Sequence, residues 1–481
     1  TFYLDARVNY DRQFNLHHVT GMLMYMQREY RSSVLPERNQ GFSGRFTYDY
    51  GQRYLVELNF GYNGTERLAK KERFEFFPAV SLGWVISNEK FFEPMTKYID
   101  NLKIRGSYGL VGSDETGLSA GAQHFLYIDQ VSLNNIGFTT GVDMNYTLYG
   151  PLVTNYAVVN GGWERVKKLD IGIDLELFRQ LTITADYFNE KRYNILLHRE
   201  AWPESLGYYT AKPWSNKGKV DNWGIELSVN WRKEFTKDLY VDFRGNFTYT
   251  ENKYVNLDEP VYPYVWKTST GKPLSRTTGY IAQGLFSSQE EIDNSPTQNL
   301  GSTVKPGDIK YRDVNGDGKI DGSDQVMISP YGTTPRIQYG LGMNVTYKKF
   351  DFGVFFNGSA KRTIMISGIS PFGQSDYNVM QFIADDYWSE SNPNPNAKYP
   401  RLGLTSSQTA NNTVASTYWM RNGNFIRFKT LELGYKFKYG RVYLNGDNIA
   451  VFSPFKLWDP ELSWNAYPLQ RTFNIGVQLN F

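Results

Sequence analysis

Hydrophobic and polar residues alternate one by one along much of this chain. At the C-terminal end, Phe473, Ile475, Val477, Leu479 and Phe481 alternate with Asn474, Gly476, Gln478 and Asn480. A period of two residues places the two sets on opposite faces of a β-strand. The pattern recurs at 2–11, 42–50, 54–63 and 168–177. The sequence therefore predicts an all-β protein with one apolar and one polar sheet face.

Charged residues on the polar face indicate what that face contacts. In 42–50, Arg45 and Asp49 lie on the side opposite Phe46 and Tyr48. The interior of a soluble barrel is apolar, and burying these charges there would be costly. In a wide barrel, the same residues line water while the apolar face meets lipid. We therefore predict a transmembrane antiparallel β-barrel.

About fifteen strands are predicted, and short and long connections alternate between them with few exceptions. The strands are expected at 2–11, 18–30, 41–50, 53–63, 76–87, 102–112, 166–178, 181–197, 220–232, 239–251, 335–347, 350–360, 425–437, 441–448 and 472–481. Transmembrane barrels have short periplasmic turns and long extracellular loops. The long connections, above all 252–334, are therefore predicted to be extracellular.

An odd number of strands suggests that part of the barrel is missing. Single-chain bacterial barrels have an even number of strands. An open edge in lipid would leave backbone groups without partners, at a cost of several kcal/mol for each group. We therefore expect residues 1–481 to form the C-terminal part of a longer barrel, or one piece of a nicked one.

Composition agrees with a barrel and excludes other classes. Aromatic residues make up 16% of the chain, and many stand at strand ends, where barrels carry aromatic girdles. No run of about 18 apolar residues is present, so membrane helices are not expected. The chain has no cysteine, and its net charge of +3 gives no case for a nucleic-acid partner.

Residues 307–324 (GDIKYRDVNGDGKIDGSD) form the most specific stretch. Together with FDFGVFFNGS at 350–359, they resemble the SusC/RagA family of TonB-dependent outer-membrane transporters. Further stretches that resemble the family are 77–84, 102–109, 163–174, 222–231, 279–292, 388–402, 418–435 and 459–461. The resemblance covers essentially the whole chain, in order.

This resemblance implies more than the residues show. It implies a barrel of about 22 strands around a plug, of which about fifteen are present here, and a location in the bacterial outer membrane among lipid and lipopolysaccharide. The implied partners are a SusD-like surface lipoprotein acting as a lid and the TonB–ExbB–ExbD complex, reached through the missing N-terminal part. The implied activity is active import of a bulky nutrient, an oligosaccharide or glycan or else a peptide.

One stretch of the long 252–334 connection has the spacing of a calcium loop. Asp313, Asn315 and Asp317 are followed by Gly318 and, after five residues, Asp324. Calcium needs six to eight oxygen ligands. The predicted metal ligands are the side chains of Asp313, Asn315, Asp317, Asp321 and Asp324 and the carbonyl of Lys319. The ion would order the loop, and a Gly/Asp turn without an ion is the alternative.

Other functions have weaker support in the sequence. Gly117, Ser119 and Gly121 match the elbow of serine hydrolases, near His124, but no apolar strand directly precedes them. His17 and His18 are adjacent, so their side chains should point apart and not share a metal. The loop aromatics Tyr208, Tyr209, Trp214, Tyr262, Tyr264 and Trp266 would stack on sugars, contact a lid protein or pack on themselves. A passive porin, a surface adhesin and an outer-membrane hydrolase remain alternatives to import.

Overall fold

The structure is a computed structural model that describes residues 1–31, 36–115, 126–135, 137–158, 161–203, 205, 213–366, 379–403, 405–462 and 466–480. Within these residues, one 15-stranded sheet contains the strands in the order of the chain. They are β1 (Phe2–Phe14), β2 (His17–Tyr30), β3 (Glu37–Tyr50), β4 (Tyr54–Thr65), β5 (Phe74–Val85), β6 (Ile99–Ser113), β7 (Glu164–Leu177), β8 (Leu181–His198), β9 (Trp214–Thr236), β10 (Leu239–Asn256), β11 (Ile337–Tyr347), β12 (Phe350–Ala360), β13 (Phe425–Phe437), β14 (Gly440–Phe452) and β15 (Thr472–Leu479). The predicted all-β fold with its large antiparallel sheet is confirmed.

Short elements occupy the connections. The helices are α1 (Gln289–Asp293), α2 (Gln381–Ala384) and α3 (Ser406–Thr413), with 3₁₀ turns at Ile86–Asn88, Lys90–Met95, Val265–Lys267 and Gly322–Asp324. Two-stranded pairs join Gln130–Ser132 with Leu152–Asn155, Gly137–Thr140 with Tyr146–Tyr149, Thr277–Gly279 with Val326–Ser329, Ala282–Leu285 with Ile309–Tyr311, Thr297–Gln298 with Lys319–Ile320, and Thr363–Met365 with Met420–Asn422. Among the described residues, no helix is long and apolar enough to cross a membrane.

The chain forms two compact units. The first contains Thr1–Trp231 and Thr250–Val261, and the second contains Arg232–Tyr249 and Tyr262–Phe481. The first unit has a small buried cluster of Leu68, Phe77 and Trp163. The second has a much larger hydrophobic core, and its members lie mostly in the long connections. The buried core of the second unit is therefore formed mainly by residues of the connections, with few from the strands.

The two faces of the sheet differ as the alternation predicts. In the first unit, Phe46 pairs with Leu58, and Leu58 pairs with Val80, so the three side chains share one face. Leu58 is 50% exposed although it lies in the middle of a paired strand. On the other face, the guanidinium of Arg45 contacts the carboxylate of Glu57 at 2.7 Å. An apolar face left exposed, with ion pairs opposite, suits lipid on one side and water on the other.

Strand ends next to long connections reach further than predicted. β9 begins at Trp214, whereas alternation predicts a start at 220. In this extra part, Gly218 still pairs with Ile195, and Trp214 pairs with His198, across two irregularities of register. Backbone hydrogen bonds hold a ladder whatever the side chains are, whereas alternation appears only where the two faces meet different surroundings. The strand therefore extends beyond the residues whose side chains alternate.

Candidate functional site: a polar sheet face and a folded loop assembly

An arginine bridges three strands on the polar face of the first unit. Arg105 on β6 contacts Asp170 at 3.2 Å and Asp174 at 3.3 Å on β7, and Asp186 on β8 at 2.5 Å. It reaches β8 by crossing Gly172, which is paired with both Arg105 and Asp186. A Cβ at Gly172 would collide with the Asp186 carboxylate and the Arg105 guanidinium. The glycine therefore leaves the space that the ion pair needs.

The second unit repeats this arrangement. Arg441 on β14 forms ion pairs with Asp351 on β12 and Glu432 on β13. It crosses Gly434, where a Cβ would collide with both Arg441 and Asp351. Both arginine side chains are partly exposed. Such a face can stay hydrated, and it presents both positive and negative groups. These groups do not favour any particular polar solute.

The long connections of the second unit share one hydrophobic core, which we call the loop core. Its buried members are Tyr280, Leu285, Ile309, Tyr311 and Ile320 from the connection after β10, Ile364, Ile366, Ile383, Trp388, Ala397, Tyr399 and Trp419 from the one after β12, and Phe455 from the one after β14. Trp419 is fully buried, and its indole N–H donates to the carbonyl of Asn412 at 2.7 Å. The described parts of these connections therefore form one folded assembly.

A buried polar network ties two of these connections together. The Asp308 carboxylate is fully buried and contacts the Arg401 guanidinium at 2.6 Å. The Asn412 side-chain amide donates to Asp308 at 2.7 Å, and its side-chain oxygen Oδ1 accepts from the backbone N–H of Ile309 at 2.9 Å. Burial raises the pKa of Asp308, and the nearby Arg401 opposes that shift. A buried polar group needs such partners, so the network fixes how the two connections meet.

The connection after β14 is held to the sheet by what we call the loop latch: Arg427, Asp459 and Glu461. Arg427 lies on β13, and its side chain is 1% exposed. Its guanidinium contacts Asp459 at 2.5 Å and Glu461 at 2.9 Å, and it also donates to the side chain of Asn448 on β14. The latch therefore joins the start of a strand to a distant connection through a fully paired buried charge.

The predicted cation ligands lie in one turn, and that turn is closed by its own hydrogen bonds. Asp313 accepts from the backbone of Gly316 at 2.7 Å and of Gly318 at 2.8 Å. Both glycines have positive φ, of 75° and 82°, a backbone conformation that glycine adopts without strain. Three more side chains bond to backbone N–H groups within the turn: Asn315 to Asp317, Asp317 to Lys319 and Asp321 to Ser323.

Asp324 closes this turn from inside. Its carboxylate is fully buried and accepts from the backbone of Val314 at 2.8 Å and of Asp321 at 2.9 Å. In the described part of the chain, no three His, Cys, Asp or Glu side chains converge in a way that could hold a metal ion. The carboxylates thus point at backbone donors and not at a common centre. The cation site stays a prediction from sequence spacing.

The turn also anchors a pair of loop aromatics. Tyr264 and Trp266 stack with ring centroids 4.7 Å apart. The Trp266 indole donates to the carbonyl of Ser323 at 2.8 Å, and Asn315 donates to the Tyr264 hydroxyl at 3.0 Å. These rings pack on the protein itself, as one of the sequence alternatives proposed. Trp214 lies in β9, and Tyr208 and Tyr209 lie outside the described residues.

The two adjacent histidines do not share a partner. His17 bonds to the Tyr48 hydroxyl at 2.8 Å, and His18 bonds to Asp11 at 2.8 Å, so the two rings have different partners. Ser119 and His124 lie outside the described residues. Sequence reasoning missed the Asp308–Arg401 pair and the loop latch. The only signal was the resemblance of 388–402, 418–435 and 459–461 to the SusC/RagA family.

The two-faced sheet of sequential antiparallel strands and the folded connections define a protein of the outer-membrane barrel class. Residues 3–449 match the family described as "TonB dependent receptor-like, beta-barrel". The chain belongs to this family.

Relatives support the predicted SusC/RagA resemblance. "TonB-dependent receptor SusC" of Bacteroides thetaiotaomicron is 27% identical over 92% of this chain and 43% of its own length. "TonB-dependent receptor P3" of Formosa agariphila is 25% identical over 91% of this chain and 45% of its own. The chain thus spans about half the length of these relatives.

A solved structure, "Structure of the RagAB peptide transporter", matches 100% of this chain and 55% of its own with a TM-score of 0.72. At 17% identity, this similarity supports the fold alone.

Proposed function

We propose that this chain is the C-terminal barrel portion of an outer-membrane transporter that imports a bulky nutrient by a TonB-dependent mechanism. The observation that carries the proposal is family membership over 3–449, combined with a sheet that is apolar on one face and ion-paired on the other. The apolar face would contact lipid, and the polar face would line the path of the solute. No bond in the solute is made or broken.

The proposed substrate is an oligosaccharide or glycan, with a peptide as the second class. The folded connections would form the rim that receives it, because they contain a buried core and can hold a fixed shape. Relatives supply the context: one is named SusC, and the RagAB structure is described as a peptide transporter. We propose a SusD-like surface lipoprotein as the partner at this rim and the TonB–ExbB–ExbD complex as the source of energy.

Uptake measurements test this proposal. A strain lacking the gene should lose growth on particular oligosaccharides or peptides, and the intact gene should restore it. An uncoupler that collapses the proton-motive force should abolish uptake of the labelled substrate in the complemented strain. Uptake that continues with the uncoupler would favour a passive porin. Hydrolysis of the substrate by the purified protein, lost in Ser119→Ala, would favour an enzyme.

We propose separately that the turn at 313–324 takes up a calcium-like cation, with Asp313, Asn315, Asp317, Asp321, Asp324 and the Lys319 carbonyl as ligands. The oxygen-rich composition supports this, whereas the hydrogen bonds that already close the turn oppose it. Protease cleavage within 257–336 should increase when a chelator is added, and Asp317→Ala should show the same increase without it. If the chelator changes nothing, the turn is held by hydrogen bonds alone.

A further inference from the structure

We propose that the apolar face of β11–β14 carries a phospholipid site, with an acyl chain in a groove and the lipid phosphate on Lys348, Lys349 and Lys438. All its residues lie in the second unit, at the end of the sheet where the connections are short. The inference rests on the proposed membrane location of the barrel. It adds a bound lipid at a named position, which membership of the family does not supply.

The groove crosses β11–β14, touches β15 through Ile475, and is almost wholly apolar. It has a volume of about 560 Å³. Its outward side chains are Val345, Tyr347, Phe350, Phe352, Leu433, Tyr435, Val442 and Leu444. They share one face because Tyr347 pairs with Phe350, Phe350 with Tyr435, and Tyr435 with Val442. Hydrocarbon is the ligand that such a lining accommodates.

Rigid rings border the groove near the short connections. Phe350 and Tyr435 contact each other with centroids 5.0 Å apart, at an angle of 51°. Phe350 nevertheless remains 59% exposed, and Tyr347 49%. Aromatic rings with a polar end belong at the boundary between headgroups and hydrocarbon. Their position places the open end of the groove at that boundary.

Lysines stand just beyond these rings. Lys348 and Lys349 form the connection between β11 and β12, and Lys438 lies in the connection between β13 and β14. All three are exposed. The ammonium of Lys348 lies 5.4 Å from the Tyr347 ring centre, and that of Lys438 lies 4.9 Å from the ring centre of Tyr439. The neighbouring Lys237 and Asp238 balance each other in charge.

Two other cations of this region, Arg441 and Lys436, lie on the polar face, where they pair with each other in the strand register. Asp351 and Glu432 neutralise Arg441 there. The three lysines therefore supply the positive charge at the open end of the groove. An apolar channel that ends in several ammonium groups complements a long acyl chain attached to an anionic phosphate. A second copy of this chain or a protein segment would have to match both features.

Photo-crosslinking in a defined bilayer tests the site. The full-length protein, stripped of lipid in detergent, would be placed in phosphatidylcholine nanodiscs containing a little phosphatidylglycerol with a photoactivatable acyl chain. We expect cross-linked peptides to be concentrated in 345–352 and 433–444, compared with the rest of the apolar face. The triple variant Lys348→Gln, Lys349→Gln, Lys438→Gln should reduce this labelling at least about fivefold, since each lysine near an anionic lipid contributes that much.

A matched control separates the site from a general effect of rim charges. Lys97 lies over the Tyr98 ring in the connection between β5 and β6, 5.6 Å from its centre, so Lys97→Gln should leave the labelling of 345–352 unchanged. Even labelling over the whole apolar face, or an equal loss in both variants, would overturn the lipid site and leave the import proposal intact. Cross-links between two protein copies at these peptides would assign the groove to a dimer contact. No lipid labelling on any strand would contradict the membrane location itself.

Discussion

The Arg427 side chain is almost completely buried, and its charge is compensated by the groups around it. The guanidinium has Asp459 and Glu461 as counter-ions and bonds to Asn448 as well. Removing one member of such a buried set leaves the others buried without a partner. The loop latch therefore fixes the position of the connection after β14 more firmly than any exposed pair would.

We predict that Arg427→Met lowers the free energy of unfolding by about 3–5 kcal/mol, because Asp459 and Asn448 would lose their cationic partner. Protease cleavage within 453–462 should increase at the same time. The matched control is Arg232→Met, which breaks an exposed pair with Asp242 and should cost less than about 1 kcal/mol. Equal effects of the two substitutions would show that Arg427 does not act as a latch.

The hydrogen bonds of Glu291 in α1 should make the stability of its segment depend on pH. The backbone N–H and hydroxyl of Ser287 donate to its carboxylate at 2.8 Å and 2.7 Å, and Lys310 pairs with it at 3.0 Å. These bonds lower the pKa of Glu291 to about 2. Because the folded pKa lies below the ordinary value, the stabilisation is complete above about pH 4.5 and is lost as the pH falls towards 2.

Hydrogen exchange of the segment 287–310 measures this response. Its protection should decrease between pH 5 and about pH 3 in the parent protein. Glu291→Gln should start with lower protection and change little over that range, since no carboxylate remains to be protonated. A parallel decrease in both proteins would assign the acid response to other groups.

At the scale of the strand, the outcome of a substitution depends on the face. Leu58 and Asn59 are neighbours on β4, yet Leu58 lies on the exposed apolar face with Phe46, and Asn59 donates to Glu57 on the polar face at 2.8 Å. We predict that Leu58→Arg costs about 2–4 kcal/mol in a bilayer, whereas Asn59→Arg has a mild effect. Refolding into lipid vesicles with a denaturant titration would measure both. Similar losses would contradict the assigned faces.

Strands and connections differed in how far the sequence could predict them. All fifteen predicted strands are present, because two-residue alternation is imposed by having lipid-like and water-like surroundings on opposite faces. Their ends beside long connections were missed where pairing continues past the alternation, as at Trp214. The Asp308–Arg401 pair joins residues 93 positions apart, and nothing local marks them as partners. A turn such as 313–324 was visible because its bonds are local.

For the molecule as a whole, the loop core makes the long connections of the second unit depend on one another. Trp419, from the connection after β12, is fully buried in the same cluster as Tyr280 and Tyr311 from the connection after β10. We predict that Trp419→Ala costs about 3–5 kcal/mol and increases protease cleavage in both connections together. Val265→Ala, at an 85% exposed position, is the control and should change neither. Cleavage confined to 361–424 would contradict a shared core.

The loop latch and the loop core also constrain how such a rim can diversify. A surface built from independent loops can acquire a new specificity by replacing one of them. Here a foreign segment grafted after β12 would meet an unmatched neighbour at Asp308 and an empty space around Tyr311. Chimaeras that exchange the segments after β10, β12 and β14 as a set should fold, whereas chimaeras that exchange a single segment should misfold.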